Sequence, residues 1–191
     1  SLEGFGASAC WWTQIAGKSE NGYTSVDISL LRGGSCFVVF HKDKVFGEHL
    51  TPSVKNEKPI SSEWNLSFPA GWGAPDTLRV KELKPWNALD VSAEAKAFSG
   101  IVTYTTSFVA DKLMLSVPLS LDLGSVNMIA VVKINGKKLG TLWCEPYTID
   151  ISSAVKEGEN ELVVEVTSTW FNRLVYDASL PENERKTWTI S

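Results

Sequence analysis

At 191 residues, with 43% hydrophobic and 21% charged side chains, the chain is long enough for one sizeable globular domain with an appendage. Its formal net charge of −4 argues against nucleic acid as a partner, because phosphate binding needs a basic surface, and equally against an anionic membrane surface. No apolar run reaches the roughly 20 residues that cross a bilayer.

Residues 1–45 read as a small β segment, which either packs on the main domain or is the end of a preceding one. Ala9–Gln14 carries Trp11-Trp12, Asn21-Gly22 is a turn signal, and Val26, Ile28 and Leu30 alternate. Ser35–Phe40 reads as a continuous apolar strand. Cys10, Cys36 and Cys144 are too few and too far apart for a disulfide framework or a zinc motif, so unpaired, mostly buried thiols are expected. The polar stretch 42–59 lacks periodicity, and 46–57 is taken as a linker. His41 and His49 have no partner at ligand spacing and are expected to be solvated. The chain opens on Ser1 and shows no basic-then-apolar leader, so a processed chain or an excised piece is expected.

Residues 58–191 carry the main pattern. Trp64, Leu66 and Phe68 alternate, and a glycine-punctuated loop from Pro69 to Pro75 holds Trp72. Leu78–Leu83 reads as a short strand, Pro85-Trp86-Asn87 opens a long loop, and Ile101–Val109 is rich in β-branched and aromatic residues. Leu113, Leu115, Val117, Leu119, Leu121 and Leu123 alternate, which predicts a strand next to the following hairpin. In that hairpin, Ile129–Ile134 and Leu139–Trp143 flank Asn135-Gly136, the turn chemistry that two positive-φ positions require. Thr148–Ile151 and Glu159–Ser168 read as strands, Ser152–Val155 as one helical turn with a serine cap, and Trp188–Ile190 as a last short strand. No segment sustains a 3.6-residue period, and no internal repeat is present. Many short strands with regular turns indicate an all-β fold, an antiparallel β-sandwich of jelly-roll type with a small N-terminal β segment.

The run Phe98-Ser-Gly-Ile-Val-Thr-Tyr104 to Phe108 resembles a strand of the sugar-binding jelly roll in glycoside hydrolase family 2. Leu121-Asp-Leu-Gly124, Ile134-Asn-Gly136, Tyr147, Asp150-Ile151 and Gly158-Glu-Asn160-Glu-Leu162 continue that pattern in order. Gly140-Thr-Leu-Trp143, Pro146-Tyr147, Trp170–Leu174 and Ser62–Gly73 are similar to the C-terminal sandwich of α-L-rhamnosidase-like enzymes, family 106 and its relatives. The resemblance implies a galactose-binding-like fold, a parent glycosidase with its catalytic domain as partner, and a periplasmic or extracellular (secreted) setting. Those enzymes carry their catalytic carboxylates on a separate barrel, which typically needs about 250 residues of strand–helix alternation. Asn56-Glu57, Asn160-Glu161 and Asn183-Glu184 superficially resemble the family 2 Asn-Glu pair, but they sit in a linker and two turns. No catalytic residue is assigned, and this chain is not expected to be an enzyme by itself.

Sugars are held by aromatic rings and planar polar side chains in largely apolar pockets. Four tryptophans fall in loops: Trp72, Trp86, Trp143 and Trp170. The candidate carbohydrate-binding set is Trp143, Glu145, Tyr147, Trp170, Asn172 and Arg173, in two segments that the resemblance brings near each other. The competing reading is packing: aromatics plug the end of a sandwich, and Arg173 pairs with Glu145 or Asp177. No cofactor is assigned. A structural calcium stays open, since sandwiches of this type hold one through loop oxygens, but Asp122, Asp150 and Glu159 match no calcium loop and no metal site is assigned. The expected function is a non-catalytic carbohydrate-binding or accessory module of a glycoside hydrolase acting on plant-type glycans. The alternatives are a structural module that buttresses a catalytic barrel, or part of an active site completed by another chain.

Overall fold

β-Branched and aromatic residues dominate Ile101–Ala110 and valines fill the centre of Gly158–Thr167, and these two ten-residue strands pair antiparallel from end to end. Around them a computed structural model describes residues 17–28, 37–38, 40, 57–126 and 128–188. The chain divides into two compact units, one within residues 9–59 and the other from residue 60 onward. In the first, β1 (Gly17–Glu20) and β2 (Tyr23–Val26) form a hairpin across Asn21 and Gly22. Phe37, Val38 and Phe40 are exposed and in no regular element, so the described part of Ser35–Phe40 is not the expected strand. Ala9–Gln14, Cys10, Cys36, both histidines and the linker up to residue 56 lie outside the described residues.

In the second unit the strands are β3 (Trp64–Ser67), β4 (Thr77–Val80), β5 (Ile101–Ala110), β6 (Ser120–Asp122), β7 (Ile129–Ile134), β8 (Lys137–Leu142), β9 (Thr148–Asp150) and β10 (Gly158–Thr167). Six of them form an antiparallel sheet in the order β4-β3-β5-β10-β7-β8, and β6 and β9 form a separate two-stranded ribbon. Period-two alternation sends Leu66, Val102, Leu162, Val164, Val132 and Ile134 to one face, where they are buried. Leu121, Ile149 and Ile151 meet them from the ribbon side, closing one hydrophobic core. The result is an all-β sandwich, with one layer much larger than the other.

The hairpin turn is formed as its sequence requires, with Asn135 at φ 51° and Gly136 at φ 78°. Several local expectations are corrected. First, only Ser120–Asp122 of the leucine alternation is a strand, and it pairs with β9, not with the hairpin. Met114–Ser116 is a 3-10 turn, held by Asp111 Oδ1 accepting from Met114 N at 2.8 Å, and Leu113 and Val117 are exposed. Pro118 follows and has no N–H to give a ladder. Second, two short helices that no 3.6-residue period announced accompany the strands of the all-β fold: α1 (Ala93–Lys96), capped by Ser92, and α2 (Phe171–Ala178). Third, Cys144 is an exposed thiol. The turn at 152–154 is organised by Asp150, whose Oδ1 accepts from Ser152 N, rather than by a serine cap.

Candidate functional site

The ribbon of β6 and β9 is too narrow to cover the whole inner face of the large sheet. Beyond it, Trp64 and Tyr104 with Val164 and Val166 floor a cleft of about 690 Å³. That volume is in the range of small-molecule sites. One wall is Leu83–Asn87, a second is formed by Leu123, Ser125, Val126 and Met128, and Ser168, Thr169 and Asn172 close the third side.

The first wall is rigid because Trp86 is anchored. Pro85 sets the chain direction, and its carbonyl accepts from Ala88 N at 2.8 Å, closing a 3-10 turn. The Trp86 ring stands edge-on to Phe98 at 5.5 Å and to Phe68 at 6.5 Å. Its Nε1 donates to the Tyr104 hydroxyl. Burial raises the Tyr104 pKa, with the Trp86 bond acting against the rise, so the phenol stays protonated at neutral pH. Among the described residues nothing accepts the Tyr104 proton, which leaves it to donate into the cleft. Lys84, Asn87, Ser125 and Asn172 add polar groups around an apolar and aromatic interior. That combination suits a ring-shaped, polyhydroxylated ligand.

Beside the cleft, α2 is fixed by buried charge. Arg173 and Asp177, one turn apart, are each 1% exposed, and Arg173 Nη2 lies 3.0 Å from Asp177 Oδ1. Arg173 also meets Glu94 Oε1 of α1 at 3.3 Å, donates to the Trp72 carbonyl, and has the Trp72 and Tyr176 rings within 6 Å of its guanidinium. Asp177 Oδ2 accepts from Lys186 N, Thr187 N and Thr187 Oγ1, tying down the segment after the helix. Burial pushes the Asp177 pKa up, but the Thr187 and Arg173 bonds outweigh it and hold the carboxyl below its ordinary value. Glu94 is lowered as well, chiefly by its hydrogen bond from Lys186 and then by Arg173, against a smaller desolvation effect. Glycoside hydrolysis needs one carboxyl of raised pKa. This pair is therefore suited to holding structure rather than to protonating a leaving group.

The six expected residues have different surroundings in the structure. Asn172 lines the cleft. Tyr147 is buried and donates its hydroxyl to the Met128 carbonyl, behind the second wall; burial raises its pKa, with Glu145 and Cys144 adding to the rise. Arg173 is part of the buried ion cluster, paired with Asp177 and Glu94 rather than Glu145. Trp170 is 46% exposed and stands edge-on to Trp72 at 5.1 Å. Trp143 and Glu145 are exposed. Among the described residues no hydrogen bond, ion pair or ring contact joins the 143–147 segment to the 170–173 segment. Trp86 carried a sequence signal as a loop tryptophan, whereas Tyr104 and Trp64 read only as strand residues. Asn160-Glu161 is structural, since Asn160 is fully buried and Glu161 points outward. Among the described residues no three His, Cys, Asp or Glu gather as a metal site, and no helix is long and apolar enough to cross a membrane.

Comparison with known proteins places the chain in a family. A family profile described as glycosyl hydrolase 2 galactose-binding domain-like matches residues 92–188, half of the chain. The chain belongs to that family. This galactose-binding-like domain is 42% identical over 137 residues to a putative beta-glucuronidase of Formosa agariphila, which covers 70% of the chain and 12% of the relative. A rhamnosidase structure from Novosphingobium sp. PP1Y superposes with a TM-score of 0.62 at 31% identity, covering 75% of this chain and 14% of that one. A beta-glucuronidase structure from an uncultured Clostridium sp. shares the fold, with a TM-score of 0.52 at 24% identity over 62% of this chain and 24% of that one. The galactose-binding-like domain therefore spans only about an eighth of the length of the first two relatives. Both resemblances drawn from the motifs, to family 2 and to rhamnosidases, are met. The matched segment contains Tyr104, α2 and the ion cluster, while Trp64 and the Trp86 wall lie outside it.

Proposed function

We propose that this domain is a non-catalytic carbohydrate-binding accessory module of a larger glycoside hydrolase, that the cleft is its sugar site, and that the parent acts on plant-type glycans. The observation that carries the reading is the cleft itself: an apolar and aromatic interior edged by amide, hydroxyl and ammonium groups. A pyranose has the same division, with C–H faces for the rings and hydroxyls for the rim. The relatives support the parent's class, since the aligned proteins are named a rhamnosidase and a putative beta-glucuronidase. Bond cleavage then falls to a catalytic barrel elsewhere in the parent, which is this domain's protein partner. A polymeric glycan lies outside the cytoplasmic membrane, which supports a periplasmic or extracellular setting.

The test is a titration of the full chain with rhamnose, galactose and galacturonic acid, followed by intrinsic Trp fluorescence and by calorimetry. A saturable change that Asn172→Ala weakens about fivefold or more, with the thermal transition intact, supports the cleft. Absence of any response up to roughly 10 mM, weaker than about −2.7 kcal/mol, overturns it and leaves a structural buttress.

A further inference from the structure

The α2 helix is built inside out. Its buried residues are Arg173 and Asp177, whereas Phe171 is 68% exposed and Val175 is 56% exposed. Residues two apart on a helix are separated by about 200°, so the pair at 171 and 175 faces away from the ion cluster. Trp170, the residue before the helix, is itself 46% exposed while resting edge-on against Trp72. Rings in water beside charges in the interior invert the ordinary pattern, and such an exposed apolar surface marks a contact site.

Continuity with the cleft identifies the contact. Thr169 and Asn172 both line the cleft, and they bracket Trp170 and Phe171 in the chain. The aromatic surface thus begins where the cleft's rim ends. The ion cluster keeps it in place, because Arg173 reaches Glu94 of α1 and the Trp72 carbonyl while Asp177 is bonded to Thr187. No acidic residue stands in the first turn of α2 to repel an acidic sugar.

We propose that the ligand is an oligosaccharide, with one sugar unit in the cleft and the next unit stacked on a platform formed by Trp170 and Phe171. This rests on the reading of the cleft as a sugar site. A monosaccharide fills the cleft alone. A longer glycan gains the platform as well, because a second pyranose presents another apolar C–H face to an exposed ring.

The experiment compares galacturonic acid with its linear trimer, and rhamnose with a rhamnose-containing pectic trimer, by calorimetry on the full chain. One further ring contact corresponds to about a tenfold gain, so at least one trimer is expected to bind about tenfold tighter than its monomer. In Phe171→Ser that trimer-to-monomer ratio falls to about two or less. Phe171 is mostly exposed, so the variant is expected to fold, and its thermal transition is the control. Monomers and trimers that bind equally overturn the platform while the cleft reading stands. A trimer gain that survives Phe171→Ser also overturns it and leaves the face to a protein partner. No binding of any sugar removes the cleft reading and the platform together.

Discussion

Asn135 Nδ2 donates to Asn160 Oδ1 at 2.8 Å, joining the turn of the β7–β8 hairpin to the start of β10. Asn160 is 0% exposed, and all of its polar capacity is engaged. Its amide donates to the carbonyls of Lys156 and Gly158, and its oxygen also accepts from Lys156 N. Asn135 completes the network by donating to the Ala154 carbonyl and accepting from Glu161 N. The motifs Ile134-Asn-Gly136 and Gly158-Glu-Asn160 are thus two halves of one polar lock.

Replacing Asn160 with Ala takes the side-chain partner from the part-buried Lys156 N–H, from the Lys156 and Gly158 carbonyls and from the Asn135 amide. The expected loss is about 3 kcal/mol, read by chemical denaturation, because unmade buried hydrogen bonds cost more than made ones contribute. A loss below about 1 kcal/mol would mean that water fills the gap and the lock contributes little.

Acid is expected to weaken the ion cluster. Asp177 and Glu94 are both held below their ordinary values of 3.8 and 4.5. A carboxyl whose folded pKa is lower than its unfolded one adds stability above the unfolded value and loses it as pH falls. Thermal midpoints should therefore drop as pH falls from about 5 towards 3, and Asp177→Asn should flatten that limb while costing about 3 kcal/mol at pH 7. Parallel acid limbs in the two proteins would place the titrating groups elsewhere.

Gly73 sits at φ 79°, and a Cβ there would lie 2.2 Å from Glu94 Cδ. Gly73→Ala is expected to cost about 2 kcal/mol, from the left-handed backbone and from displacing Glu94 off Arg173 and Lys186. The steric share disappears if Glu94 is truncated first. Midpoints of Gly73→Ala, Glu94→Ala and the double variant should accordingly be sub-additive. Strict additivity would show that backbone strain alone is at work.

Period-two runs and Asn-Gly turns are local signals, so the β7–β8 hairpin, β5 and β10 were legible in the sequence. The leucine alternation from Leu113 was not a guide, because a side-chain pattern cannot report that Asp111 captures a backbone N–H or that Pro118 withholds one. α2 was hidden for the opposite reason. It is only eight residues long, and it buries Arg173 and Asp177 while exposing Phe171 and Val175, so an apolar stripe would have pointed the wrong way. At the site, Trp86 and Asn172 had signals. Trp64 and Tyr104 did not, because their role depends on how little of the sheet the β6–β9 ribbon covers.

The position of β10 has a consequence for how the chain is made. It lies between β5 and β7, yet it is the last strand of the large sheet to leave the ribosome. Until residue 158 emerges, β4-β3-β5 and β7-β8 are two half-sheets, each with a bare edge that waits for the same strand. Ile101 pairs with Thr167, so the longest ladder joins positions far apart in sequence, the kind of contact that forms slowly. The nascent polypeptide therefore passes through a stage in which its most aggregation-prone edges are exposed, and it leaves that stage when the keystone strand arrives.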